Sequence, residues 1–299
     1  MNAVAGDNAW IAQRLREMGQ LVEAQGGNPF RAAAYRNAAD TLVRLPHGVR
    51  ELFQREGASG LEALPGVGPR IAAAIGEMLA TGGWGQLQRL RGEADPETLL
   101  RTVPGIGAGL AHRLHEALGV ETLEALEVAA HDGRLERVPL VGARRAAAIR
   151  AALAQMLGRV RVARRTAPPP AGGSAAHAKT ETAAEPPADW LLDVDREYRH
   201  AAQAGTLAKI APRRFNPGGE AWLPVLHTQR GDWHFTALYS NTARAHELGR
   251  EHDWVVLYGE HPQHGECQYT VVTATHGPLT GRRVVRGREA ECRAVQAPS

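Results

Sequence analysis

Three short segments in the N-terminal half place proline and glycine directly before an apolar, helix-like pattern. They read LPGVG at 64–68, VPGIG at 103–107 and VPLVG at 138–142, and their prolines are 39 and 35 residues apart. Glycine tolerates a positive φ and leaves room for a ligand beside the backbone. Free N–H groups at a helix N-terminus attract anions. The spacing therefore predicts three similar units, each able to hold a phosphate at its turn.

The repeat resembles the helix-hairpin-helix motif of DNA-binding proteins, in which the turn contacts the DNA backbone and reads no bases. A lone turn of this type would be explained equally well as a plain connection between two helices. Its threefold occurrence favours sequence-independent DNA binding. The residues predicted to contact DNA in and after the turns are Gly66, Gly68, Arg70, Gly105, Gly107, Gly109, Arg113, Gly142, Arg144 and Arg145.

The third repeat differs from the other two in its turn and in its charge. Leu140 stands where they have glycine, and we expect leucine to avoid the positive φ that glycine allows, which would weaken the backbone site. Residues 134–165 carry nine arginines and one acid, whereas residues 1–133 carry 12 arginines and 16 acids. Arg144 and Arg145, in the first turn of the next helix, are therefore predicted to replace backbone contacts with charge and bidentate phosphate bonds.

A wider resemblance covers about residues 8–155. The segments NPFRAAAYRNAADTL and LPGVGPRIAAAIGEMLATG are similar to the N-terminal region of family X DNA polymerases. The resemblance implies a small N-terminal helical domain that binds gapped DNA and its 5′ phosphate, with Arg31 and Tyr35 among the contacts. It also implies a monovalent cation, sodium or potassium, at the hairpins. The backbone carbonyls that would hold this cation belong to Leu64, Val67, Val103 and Ile106.

The chain departs from that family where lyase chemistry would need lysine. Ala74 occupies the position of the lysine that attacks an abasic sugar in lyase-active relatives, and Arg31 and Arg70 occupy those of supporting lysines. Residues 1–178 contain no lysine at all. Because arginine stays protonated and does not act as an amine nucleophile, we predict that abasic-site lyase activity is absent.

The catalytic palm of the same family has no counterpart in the sequence pattern. Asp193 and Asp195 form an Asp-x-Asp pair, but the nearest Gly-Ser pair lies far upstream in a proline-rich stretch, and only 104 residues follow Asp195. A two-metal site needs such carboxylates held in a defined geometry. We interpret Asp193 as a residue near the start of a helix, where its charge suits the helix dipole, and predict no templated nucleotide addition.

Composition divides the chain into two modules. Residues 166–188 are dominated by Pro, Ala, Gly, Ser and Thr and are predicted to be a disordered linker, long enough to leave the flanking modules independent. The first module is predicted to be all α, with the polymerase-like helical domain and first hairpin at 1–90 and the second and third hairpins at 91–165. Residues 189–299 alternate strand-like runs with short helical segments, which predicts an α+β module around a small, mostly antiparallel sheet.

The second module offers further candidates for chemistry. His261, His264, Cys267 and Cys292 have a spacing that suits a metal, although the polar residues among them also suit a plain turn between strands. The pair His246–Glu247 would suit acid–base chemistry on a short helix.

Basic and aromatic residues of the second module could also form a nucleic-acid face. They are Arg213, Arg214, Phe215, Trp222, Trp233 and Trp254, with the basic segment 281–289. Tryptophans in a small sheet are equally expected to be core residues, and the basic segment is equally expected to be solvated.

Three functions are consistent with these patterns. The leading hypothesis is a protein that binds gapped, nicked or ended duplex DNA in repair and is not itself catalytic, with 189–299 available to a protein partner. The second is a nuclease or end-processing enzyme with its activity in 189–299. The third is a protein-interaction role for the helical array. No apolar run is long enough to span a membrane, no secretory signal is evident, and two cysteines exclude a disulfide framework, which predicts a cytoplasmic, nucleoid-associated protein.

Overall fold

The computed structural model describes residues 2–165, 185–261 and 265–296. Most of the linker predicted at 166–188 lies outside these residues. The described part of the first module is helical, and the C-terminal module is an α+β unit with a six-stranded antiparallel sheet. The predicted fold class is therefore confirmed. None of the described helices combines the length and apolar character needed to cross a bilayer.

The first module follows the predicted order of helices and turns. Its helices are α1 Asn2–Ala24, α2 Pro29–Arg44, α3 Val49–Glu62, α4 Pro69–Thr81, α5 Gly85–Arg91, α6 Pro96–Leu100, α7 Ala108–Leu118, α8 Leu123–His131 and α9 Ala143–Arg165, with a 3-10 turn at Leu135–Arg137. Local chemistry explains where α2 begins. The Asn28 side chain accepts a hydrogen bond from the Phe30 N–H at 2.9 Å, and Pro29 occupies the first helical turn.

The sheet of the second module is a meander in which every strand pairs with the next. The elements are α10 Ala188–Gln203, β1 Lys209–Ile210, β2 Leu223–Arg230, β3 Trp233–Tyr239, α11 Ala243–Glu247, β4 Val255–His261, β5 Gly265–Thr273, β6 Arg283–Val285 and α12 Glu289–Val295. Helix α10 is fixed to the sheet by the buried Tyr198, whose hydroxyl donates to the Pro224 carbonyl at 3.0 Å and accepts from the Tyr239 N–H at 2.9 Å.

The Asp-x-Asp pair lies on α10, as interpreted from the sequence. Asp195 is buried and accepts two hydrogen bonds from Arg283, at 2.6 and 2.9 Å. Asp193 pairs with Arg230 at 2.6 Å. Both carboxylates therefore neutralise arginines that attach the helix to the sheet.

Two apolar cores divide the described residues differently from the predicted modules. One core holds the second and third hairpins, from Leu100 to Leu153. The other begins at Ile11 in α1, includes α2 to α5, and continues through the C-terminal sheet to Cys292. The expectation that the two modules are independent is therefore wrong, because residues 1–90 share their core with the sheet. Gly92, with φ of +74°, is part of this contact, and its carbonyl accepts from the Arg213 N–H at 2.7 Å.

Candidate nucleic-acid interface

The three predicted turns have one backbone geometry. In each, the second apolar residue donates its N–H to the carbonyl three residues earlier at 3.1 Å, as Val67 does to Leu64. The same bond joins Ile106 to Val103 and Val141 to Val138. The final glycine of each turn then accepts the first intrahelical hydrogen bond of the following helix, at 2.9 to 3.0 Å. The repeat seen in the sequence is therefore a repeat in structure.

Leu140 adopts the conformation that glycine has in the other two turns. Its φ is +68°, beside +77° for Gly66 and +89° for Gly105, and its side chain is 76% exposed. The expectation that leucine would avoid a positive φ is wrong. The hydrogen bond from Val141 to Val138 and the buried side chains of these two residues hold the turn in place, so the third turn carries the strain of a left-handed leucine.

The turns are accessible to a ligand. Gly105, Gly107 and Gly142 are exposed, and an added Cβ at any of them would meet no atom within 4 Å. Gly66 is also exposed but lies 3.6 Å from the Asn37 side chain, measured from an ideal Cβ. Each turn therefore presents the N-terminus of a helix of at least eleven residues to solvent, which is the geometry that attracts an anion.

The arginines of the third repeat take different roles. Arg144 and Arg145 are exposed, and Arg145 donates to the Leu140 carbonyl at 3.1 Å, beside the turn. Arg150 instead donates to the Ala130 carbonyl at 2.8 Å, at the end of α8. Arg144 and Arg145 are thus exposed beside the turn, and their contact with a phosphate stays a prediction, whereas Arg150 attaches α9 to its neighbour. In the second repeat, Gly109 is exposed and Arg113 is half-buried.

Residues 1–90, which we call the first unit, contain a cationic pocket. We call it the Glu260 pocket, because Arg31, Arg70 and Gln86 surround the Glu260 carboxylate. Arg31 on α2 donates to the Glu260 carboxylate at 2.9 Å, Arg70 on α4 lies 3.8 Å from the same oxygen, and Gln86 on α5 donates to the other oxygen. Only 10% of the Arg31 side chain and 11% of the Glu260 side chain are exposed. Three helices of the first unit therefore surround one carboxylate that comes from β4 of the second module.

Burial determines the electrostatics of this pocket. Burial is the largest single influence and opposes the charge of Arg31, but Glu260, Tyr35 and Glu266 together outweigh it and raise the pKa of Arg31. Burial raises the pKa of Tyr35, whose hydroxyl accepts from Arg31 at 3.4 Å and whose ring meets Trp84 edge-on at 5.7 Å. Burial lowers the pKa of Arg70, which Glu260 only partly offsets. The predicted contact Arg31 is thus paired with a carboxylate of the second module, and Tyr35 is buried beside it.

A cavity of about 570 Å³ adjoins this pocket. Arg70, Gln86 and Glu260 lie in its wall, together with residues of the second hairpin and of α9. Ala74, which takes the position of the lyase lysine, also lines it. The cavity therefore reaches Arg70 and Glu260 of the Glu260 pocket.

Further polar contacts join the two modules around the cavity. Arg89 is buried, pairs with Glu266, and lies over the Tyr258 ring at 4.1 Å. His227 on β2 contacts the side chain of Gln25, the residue that follows α1, at 3.0 Å through Nε2. Burial, and then the nearby Arg31 charge, lower the pKa of His227 to about 3. A neutral His227 is therefore part of the contact.

The hairpin carbonyls proposed to hold a cation are partly engaged. The Leu64 and Val103 carbonyls each accept the turn hydrogen bond described above. A carbonyl oxygen has a second lone pair, which leaves coordination possible. The monovalent cation at Leu64, Val67, Val103 and Ile106 stays a prediction.

The metal ligands suggested for the second module are not assembled by the described residues. His264 lies outside the described residues. Cys292 is buried in α12, where its Sγ accepts from the Val285 N–H at 3.3 Å. Val285 pairs with Val271 on β5. Cys267 lies four residues before Val271 on the same strand, which separates the two residues by about 13 Å at the usual rise of an extended chain. Cys292 is therefore a core residue and does not complete a site with Cys267.

The other candidates in the second module contribute to packing. Trp233 is buried and stacks on Phe235, and the Trp254 ring lies under Arg286 at 3.9 Å. His246 contacts the Asn241 side chain at 2.7 Å and the Phe215 ring, while Glu247 pairs with the exposed Arg244.

A second charged cluster lies where α6 and α7 meet the second module. The carboxylates of Glu97 and Glu116 each lie 3.6 Å from the Arg214 guanidinium, and His112 Nδ1 lies 3.1 Å from Glu97. Glu97, His112 and Glu116 bring potential metal-ligand atoms close together. The Arg214 guanidinium, however, already provides a positive charge beside both carboxylates. Arg214, considered for a nucleic-acid face, is part of the contact between the modules.

Glu260 and Gln86 are the residues that sequence analysis missed. Both lie in ordinary amphipathic segments far from the hairpin motifs, and their spacing suggests no chemistry. The only available signal was an acid at the end of the apolar strand VVLYGEH, next to a turn. Nothing in the sequence paired that acid with Arg31, which lies 229 residues earlier along the chain.

Comparison with known proteins agrees with this architecture. Residues 6–83 match a helix-hairpin-helix domain, and residues 58–118 and 97–155 each match a SAM-like helix-hairpin-helix tandem. The chain is 28% identical over 128 residues to the DNA polymerase/3′-5′ exonuclease PolX of Bacillus subtilis (strain 168), an alignment that covers 42% of this chain and 21% of that protein. The chain thus spans about a fifth of the length of this relative. The N-terminal half is a helix-hairpin-helix region similar to that of family X polymerases, and these matches support DNA binding in general terms.

Proposed function

We propose that this protein binds duplex DNA through the backbone, without reading sequence, and that gaps, nicks or ends are its preferred sites in DNA repair. The observation that carries the proposal is the set of three turns with one geometry, each exposing a helix N-terminus. Main-chain N–H groups bind phosphate oxygens, which are the same at every base pair. Binding of this kind is expected to be independent of sequence.

Charge supports the third hairpin as the strongest contact. Arg144 and Arg145 flank an exposed turn, and neither is paired with a carboxylate among the described residues. Each arginine that neutralises a DNA phosphate displaces condensed counterions, so binding weakens as salt rises. The second module adds an interaction surface or holds the first unit in place. Its location would be the cytoplasm, at the nucleoid.

The test measures DNA affinity against salt concentration by fluorescence anisotropy. The double variant Arg144→Ala/Arg145→Ala should bind more weakly and flatten the plot of log K against log salt by up to about 1.8, because each lost phosphate contact removes about 0.9. Duplexes of unrelated sequence should compete equally. A gapped or nicked duplex should compete better than a continuous one.

A matched control separates local contacts from overall charge. Arg196→Ala/Arg293→Ala also removes two exposed arginines, but from α10 and α12 of the second module. This control should leave the salt slope unchanged. Equal flattening by both double variants would assign the effect to net charge, and preference for one base sequence would contradict backbone recognition.

A further inference from the structure

The Glu260 pocket has the composition of an anion site. Its three donors, Arg31, Arg70 and Gln86, all belong to the first unit and converge on one anionic group. Arginine and amide donors around a single oxyanion suit carboxylates and phosphates equally well. The ligand in this structure is a carboxylate of the chain itself.

Glu260 leaves part of this site unsatisfied. Within the described residues, the Nε of Arg31 is buried and has no hydrogen-bond partner. Arg70 lies 3.8 Å from the nearest carboxylate oxygen, beyond hydrogen-bond distance. A buried guanidinium with an unpaired N–H is costly. A phosphate group offers more acceptor oxygens than a carboxylate and would satisfy more of these donors.

The surroundings also favour exchange of one anion for another. Arg70 and Glu260 lie in the wall of the adjoining cavity, so the site borders a space that a ligand can enter. His234, which faces Glu260 across β3 and β4, has its pKa lowered to about 4 by burial and then by the charges of Arg70 and Arg31. The pocket therefore keeps a positive field even with Glu260 in place.

We infer that Glu260 is an intramolecular substitute for a phosphate, so that the second module closes the anion pocket of the first unit until a terminal phosphate of DNA displaces it. This inference rests on the proposed function for its ligand, and it adds regulation to it. The three hairpin turns bind DNA whether the pocket is open or closed. The pocket adds a contact only when a phosphate end replaces Glu260.

The test compares a nicked duplex that carries a 5′ phosphate at the nick with the same duplex carrying a 5′ hydroxyl. The wild-type protein should bind the two within about twofold, because Glu260 competes for the pocket. Glu260→Gln keeps the shape but removes the competing charge, and should prefer the phosphorylated nick about tenfold, the effect of one good charge-assisted contact. Glu260→Gln/Arg31→Gln should lose that preference.

Glu220→Gln is the matched control, since it makes the same substitution at an exposed position of the second module. It should bind both nicks as the wild type does. A second readout needs no DNA: inorganic phosphate, compared with chloride at equal ionic strength, should raise the Tm of Glu260→Gln more than that of Glu220→Gln.

The outcomes separate the two hypotheses. If every variant binds DNA but Glu260→Gln gains neither a phosphate preference nor a phosphate-dependent Tm, the role of Glu260 is wrong and DNA binding stands. If no variant binds DNA while the phosphate effect on Tm is present, the pocket stands and the proposed function fails. If Glu260→Gln does not fold, Glu260→Asp, which withdraws the carboxylate by one methylene, should show a smaller gain in the same direction, and no gain would overturn the inference.

Discussion

The second and third hairpins and the first unit use similar helices, yet they present their cationic groups in opposite ways. The turns at Gly105 and Leu140 face solvent, and Arg144 and Arg145 stand beside one of them. In the first unit, Arg31 and Arg70 face a carboxylate from another module. The motif therefore fixes the backbone of a turn, while the surrounding fold decides whether the cations near it are available to a ligand.

The two regions also differ in how each arginine contributes to the stability of the fold. An exposed arginine remains solvated and contributes little to stability. A buried arginine depends on its partner, because an unpaired charge in the interior is strongly unfavourable. Substitutions in the two regions should therefore separate effects on DNA binding from effects on folding.

The largest expected effect follows from removing the buried cation. Arg31→Met should lower the free energy of unfolding by about 3–5 kcal/mol, because it leaves Glu260 buried without its closest cation. Arg144→Met should change it by less than about 0.5 kcal/mol, as is usual for exposed positions. Urea denaturation of both variants measures the difference, and equal losses would contradict the contrast between the two regions.

A side chain added at Gly92 should disrupt the contact between the first unit and the second module. An added Cβ at Gly92 would lie 2.3 Å from the Ala211 carbonyl oxygen, at a φ of +74°. We expect Gly92→Ala to cost more than about 2 kcal/mol, since the strain of a left-handed alanine adds to this overlap. Gly82→Ala is the control, because Gly82 has the same φ with no atom within 4 Å. Thermal unfolding that is equal for the two variants would show that the close approach has no effect.

The contact between His227 and Gln25 should also make the stability of the protein depend on pH. The pKa of His227 is about 3 in the folded protein and about 6.5 in an unfolded chain. The unfolded state therefore binds more protons below pH 6.5, and stability is lost as the pH falls from there towards 3, by up to about 1.4 kcal/mol per pH unit. His227→Gln should remove this part of the dependence. The measurement is the free energy of unfolding at several pH values between 7 and 4. If it falls equally with pH in the wild type and in His227→Gln, the assignment is wrong.

The smallest expected effect concerns the strain in the third turn. Leu140→Gly should raise stability by about 0.5 kcal/mol, because relief of the left-handed leucine exceeds the entropy cost of glycine in the unfolded chain. The reverse exchange, Gly105→Leu, should lower stability by about 1 kcal/mol. Equilibrium denaturation of the pair gives the signs, and a loss on Leu140→Gly would mean that the exposed leucine side chain stabilises the fold.

The local structure of both modules follows from short-range features of the amino-acid sequence. The Pro-Gly spacing predicted three turns, and the strand-like runs of residues 189–299 predicted an antiparallel sheet. The start of α2 is also local, because Asn28 and Pro29 suit the N-cap and first turn of a helix. These features follow from φ preferences, capping and side-chain periodicity, which act over a few residues. The one local error was Leu140, where hydrogen bonding and burial of its neighbours outweigh the preference of a single residue.

How the modules meet, and which charged side chains a ligand can reach, depends on packing between residues far apart in the chain. No local pattern pairs Glu260 with Arg31, and none predicts that His227 is buried beside Gln25. These groups come together only when the first unit and the sheet form one core. Burial then changes the energy of each charge far more than its sequence neighbours do. Residue types predicted a phosphate-binding surface, whereas packing decided that one part of it is open and another is occupied by a carboxylate of the same chain.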